Sequence, residues 1–86
     1  MVEVKEKRVR LTLKQRTILM LLSHHKQVSI GELAALLGVN STAATKNVQR
    51  LEQKHLVKRT VDEWDLRRVL ISLTDDGWSV LNTSEE

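Results

Sequence analysis

Two stretches of this chain carry groups that could do chemistry. The first is Asp62-Glu63-Trp64-Asp65-Leu66-Arg67-Arg68, three acids and two arginines around a tryptophan. Asp65 and Arg67 are two apart, so on extended backbone their side chains fall on one side. A carboxylate so placed takes the guanidinium in a charge-assisted bond and fixes its direction. An arginine oriented in this way at a hairpin tip suits a narrow groove of negative potential, such as the minor groove of DNA. The acids would orient the cation at some cost in long-range attraction. The bland alternative is an exposed ion-pair cluster worth only ~0–1 kcal/mol.

The second stretch is "STAATKNVQRLEQK", residues 41–54. At 100° per residue, Ala44, Val48 and Leu51 form an inward row. The opposite face then carries Thr42, Lys46, Gln49 and Gln53, with Thr45 on its flank. Short hydroxyls, amides and a cation are groups that bond base edges or phosphates. Arg50 and Lys54 lie to one side, suited to backbone contacts that position rather than specify. An ordinary solvated helix face is the alternative.

The elements that would position these groups are well signalled. Thr12 with Gln15 makes a capping box before "LKQRTILMLLSHH", and Ser29 with Glu32 makes a second, flanked by Val28 and Leu33 at the staple positions. Ile30, Leu33, Ala34 and Leu37 give the second helix one buried face. Gly38 stands where a left-handed residue ends that helix. Only Val39 then precedes Asn40, a good N-cap for the third helix. Helices joined so tightly cross steeply, which is helix-turn-helix geometry, and the small Ala34 permits close approach at the crossing.

Two strand-like runs follow, 56–61 and 68–73, the second placing Val69, Ile71 and Leu73 on one face. Thr74 caps a last short helix with Asp75 and Asp76 in its first turn. The expected fold is mostly α with a small β-hairpin, a winged helix-turn-helix over residues 11–82. Residues 1–10, "MVEVKEKRVR", read as either a short strand or a basic arm, and 83–86 as a tail.

In its details the chain resembles the MarR family of winged helix repressors. The wing matches the family's R-x-x-D-x-x-D-x-R pattern through Arg59, Asp62, Asp65 and Arg67, and "ISLTDDG" matches the V-x-L-T-x-x-G ending that follows it. "LTLKQRTIL" and "SIGELAALLGVNSTAATKNVQRLEQKHLVKR" are similar to the family's helices. The resemblance implies that Ser41, Thr42, Thr45, Lys46 and Gln49 enter the major groove and Arg67 the minor groove. Arg50, Arg59 and Arg68 join the expected DNA contacts, with Asp62 and Asp65 orienting the wing.

The chain departs from the family at several places. His55 stands where glycine usually closes the recognition helix, and a left-handed non-glycine residue costs about 1 kcal/mol, less for Asn, Asp or His. Asn47 replaces an apolar residue, so either it bonds a buried backbone group or the helix sits slightly rotated. The family's wing proline is missing and Trp64 occupies the turn. The family's flanking helices, which dimerise and frame a ligand pocket, have no counterpart in 86 residues. The expectation is therefore a minimal member without a small-molecule effector, a homodimer if at all through the N-terminal segment or the last helix.

Composition narrows the alternatives. There is no cysteine, so disulfides and thiolate chemistry are excluded. No apolar run approaches the ~20 residues that span a bilayer and no leader pattern opens the chain, so the expected compartment is the cytoplasm. All 14 Lys and Arg fall within residues 1–68 beside 7 acids, while residues 69–86 hold 4 acids and no Lys or Arg. A basic body suits a phosphate-bearing partner. No catalytic constellation is visible, and a chain this short leaves little room for a pocket of ~300 Å³ or more. Neither an enzyme nor a cofactor is expected. His24 and His25 read as a polar helix end rather than metal ligands, since neighbours on a helix diverge by 100°. Trp78 with Leu81 is expected in the core, and Trp64 at a contact on the wing. The competing function is a winged helix that binds protein without reading DNA.

Overall fold

The computed structural model describes residues 10–83. Most of the expected N-terminal strand or arm, and the tail beyond Thr83, lie outside the described residues. The order is α1 (Leu13–His24), β1 (Val28–Ser29), α2 (Ile30–Leu37), α3 (Ser41–Gln53), β2 (Val57–Val61), β3 (Val69–Leu73) and α4 (Asp75–Thr83). This is the winged helix-turn-helix the sequence implies, with one strand more than the hairpin. The two residues of β1 pair antiparallel with β3, Val28 opposite Ile71, and give a three-stranded sheet of order β1-β3-β2. Two residues carry no readable alternation, so only the pairing reveals them as a strand.

Each helix begins as its capping residues require. Thr12 Oγ1 accepts from Gln15 N–H at 3.1 Å, and Gln15 Oε1 accepts in return from Thr12 N–H at 3.3 Å. Ser29 and Glu32 repeat the exchange at the start of α2, at 3.1 and 3.0 Å. Gly38 takes the left-handed conformation, φ 71°, and its N–H with that of Val39 satisfies the last carbonyls of α2.

Ile18, Leu19, Leu22, Leu33, Val48, Leu51, Leu56 and Ile71 are the largest fully buried side chains. Each stabilises the fold by roughly 1.5–3 kcal/mol relative to exposure. They come from α1, α2, α3, the α3–β2 turn and β3, so one core fixes α3 against the sheet that carries the wing.

The last helix corrects one expectation. Trp78 is 45% exposed rather than buried. Gly77, Val80 and Leu81 form the inward face of α4, three and four residues apart, and Trp78 is turned 100° from it. Gly77 leads that face because it packs on backbone: a Cβ there would lie 2.2 Å from the Leu56 carbonyl oxygen. The described surface also holds shallow depressions that are open to solvent. One of about 420 Å³ lies beside Trp78, Leu22 and His25, and one of about 600 Å³ lies between the wing and α2. Among the described residues no helix is long and apolar enough to cross a membrane.

Candidate nucleic-acid interface

The rotation of α3 is set at its start and along its length. Asn40 Oδ1 accepts from Ala43 N–H at 2.8 Å, capping the helix. Ala44, Val48 and Leu51 are wholly buried. Ser41, Thr42, Lys46, Gln49 and Arg50 therefore stand exposed, with Thr45 half-buried beside them. Asn47 Nδ2 donates to the Ala43 carbonyl one turn back, at 3.2 Å. The amide thus satisfies itself within its own helix, and the inward row needs no rotation to accommodate it.

The far end of α3 is stitched to the element that follows the wing. His55 adopts φ 63°, closing the helix where a glycine would be easier. Its carbonyl accepts from Thr74 Oγ1 at 2.7 Å, while the same hydroxyl accepts from Gly77 N–H at 3.0 Å. Thr74 N–H donates to Leu56 O at 3.1 Å. Thr74 thus caps α4 and locks the α3–β2 turn at once. Lys54, read from sequence as a groove-side cation, is instead turned to α1: its Nζ donates to Arg10 O at 2.6 Å and to the buried Gln15 Oε1 at 3.2 Å.

The wing tip is a closed loop of local bonds. Asp62 N–H donates to Arg68 O, and Arg68 N–H to Asp65 O, both at 2.9 Å. Trp64 N–H donates to Asp62 Oδ1 at 2.8 Å, and Arg67 N–H to Asp65 Oδ1 at 3.0 Å. Arg67 Nε pairs with that same Asp65 oxygen at 3.3 Å, and the arginine side chain is 91% exposed. The pair expected from the spacing forms, but on a tight turn at Leu66 and Arg67 rather than on extended backbone, because Asp65 takes the N–H groups of both Arg67 and Arg68.

The other two wing arginines are differently employed. Arg59 Nε lies 3.0 Å from Glu52 Oε1, tying β2 to α3. Arg68 reaches Glu32 Oε2 at 3.3 Å and Asp62 Oδ2 at 3.6 Å, tying the wing base to α2. Asp62 therefore orients Arg68 and the Trp64 backbone, and not Arg67. Glu32 was visible in the sequence only as a capping residue. Its second oxygen is the anchor for Arg68, and both bonds hold its carboxyl below the usual carboxylate range, the Ser29 backbone N–H first and the Arg68 charge after it.

With this geometry in view, the MarR family model matches residues 11–69, and the chain belongs to that family. It is 36% identical over 70 residues to the organic hydroperoxide resistance transcriptional regulator of Bacillus subtilis (strain 168), covering 81% of this chain and 48% of that protein. It is 38% identical over 63 residues to the HTH-type transcriptional repressor MdtR of the same organism, covering 73% of this chain and 41% of the relative. The crystal structure of the S. aureus MepR–DNA complex superposes with a TM-score of 0.82 at 28% identity, over 84% of this chain and 60% of that one. The chain spans less than half the length of the two curated relatives.

Proposed function

We propose that this chain is a sequence-specific reader of double-stranded DNA acting as a transcriptional regulator. In this reading α3 lies in the major groove, with Ser41, Thr42, Thr45, Lys46 and Gln49 toward base edges and Arg50 toward the backbone. The wing tip enters the adjacent minor groove through Arg67, and bound protein occludes promoter DNA. The observation that carries it is the state of Arg67: held by Asp65, yet almost fully open to solvent. Arg59 and Arg68 are paired within the protein and brace the wing, with phosphate contact a secondary role. A homodimer, through the N-terminal segment or α4, would set half-sites about 10 bp apart or a multiple of that. Work on DNA would put the protein in the cytoplasm.

The test is fluorescence anisotropy of a labelled duplex with wild-type and Arg67→Ala protein at two or more salt concentrations. Binding that weakens steeply with salt, and a slope shallower by about one for the variant, are the expected results. Failure to bind any duplex at low salt would favour the protein-binding winged helix instead.

A further inference from the structure

Two large apolar side chains at the wing tip stand exposed, uncovered by any of the described residues. Trp64 is 90% exposed and Leu66 76%. An indole left in water forgoes the burial of ~150–250 Å² that an aromatic side chain ordinarily achieves. The loop beneath it is nevertheless well held. Trp64 N–H is fixed by Asp62, Asp62 N–H by the Arg68 carbonyl, and the Arg68 guanidinium by Glu32. Asp62 and Asp65 are each matched by an arginine, so much of the acidic charge of the tip is spent locally. The tip therefore offers an apolar pair and an open cation, Arg67, from one preformed turn.

We propose that Trp64 contacts duplex DNA, its indole lying against the deoxyribose wall of the minor groove that receives Arg67, with Leu66 beside it. This rests on the DNA-reading role given to the wing above. The wall of a DNA groove alternates apolar sugar faces with anionic phosphates. A surface that sets Trp64 and Leu66 next to an exposed guanidinium matches that alternation in both chemistry and charge. A purely apolar partner surface would take the Arg67–Asp65 pair out of water and give the guanidinium's remaining donors no acceptor, which is costly.

The experiment uses the intact chain carrying Trp78→Phe, which leaves Trp64 as the single indole. An A-tract duplex is titrated in at low salt, following Trp64 emission, its quenching by acrylamide, and the anisotropy of labelled duplex. The emission is expected to shift or quench in parallel with the anisotropy, and acrylamide access to fall. In the otherwise wild-type chain, Trp64→Ala is expected to weaken binding roughly 5- to 20-fold, by analogy with aromatic platforms for nucleic acids. Its salt slope should be unchanged, because an apolar contact releases no counterions, while Arg67→Ala lowers the slope. Trp64→Phe should recover most of the lost affinity. Saturation by duplex with Trp64 emission and quenching unmoved would overturn the proposal and leave DNA binding standing. A shift that follows protein concentration without DNA would assign the tip to contact between copies and overturn it likewise. No duplex binding by the wild-type chain at low salt would overturn both readings.

Discussion

Gln49 sits midway along the exposed face of α3, flanked by Lys46 and Arg50. A glutamine amide offers a donor and an acceptor together, the pair that adenine presents in the major groove. Gln49→Ala is expected to relax preference at one base pair, by ~1–3 kcal/mol of discrimination. Competition with duplexes substituted singly across a binding site measures this directly. An unchanged preference profile would mean that another row of α3 faces the bases. The residue scale is also where sequence was most informative about the site. Asp65 and Arg67 meet because Asp65 opens a tight turn, its Oδ1 taking the Arg67 N–H and its carbonyl the Arg68 N–H, a local arrangement that two-residue spacing suffices to allow. The partners of Arg68 and Lys54 were not legible, since Glu32 is 36 residues from the first and Gln15 is 39 from the second. Such pairs exist only once the helices are packed.

Among the elements, α4 depends on the turn between α3 and β2. Gly77 is buried, and a Cβ would meet the Leu56 carbonyl oxygen at 2.2 Å and Leu73 Cδ2 at 2.9 Å. The first obstacle is backbone, fixed by its bond from Thr74 N–H, and cannot turn aside as a side chain can. Gly77→Ala should thus force α4 away from the turn, with an overpacking cost of ~1–3 kcal/mol. For a domain of this size that lowers Tm by roughly 5–20 °C. A thermal melt followed by circular dichroism decides it, and an unaltered Tm would show that α4 reseats freely. The same packing explains Trp78. A tryptophan in a short amphipathic helix reads as core, but the glycine before it takes the inward position, and the indole is left half in water.

Across the whole molecule, one of the long-range ties runs from Glu32 to Arg68 and joins α2 to the base of the wing. The Glu32 carboxyl lies below its ordinary range in the folded protein. A depressed folded value means that the ionised form favours folding. Its contribution is present above the unfolded carboxylate value and is lost as pH falls through the folded one. Glu32→Gln retains an acceptor for Ser29 N–H and removes the charge facing Arg68. The variant should therefore melt below wild type near neutral pH, and the gap should close on acidification through and below the carboxylate range. Paired melts across that range test this, since the remaining carboxylates titrate in both proteins alike. A gap constant with pH would show that the charge of Glu32 has no part in holding the wing.

What the sequence determined by itself is local. Capping boxes at Thr12 and Ser29, the left-handed Gly38 and the Asn40 cap are contests among neighbouring groups for backbone hydrogen bonds, won within a turn or two. They are enough to set three helices, their spacing and the exposed row of α3. His55 belongs here too, because α3 has to end before Leu56 and histidine tolerates the conformation required. What only the tertiary structure decided is which distant groups share a surface. The pairing of β1 with β3, the destination of Glu32's second oxygen, the seat of Gly77 on Leu56 and the exposure of Trp78 all depend on how elements pack. Burial and ion pairing act between groups brought close in space, and separation along the chain does not say which groups those will be.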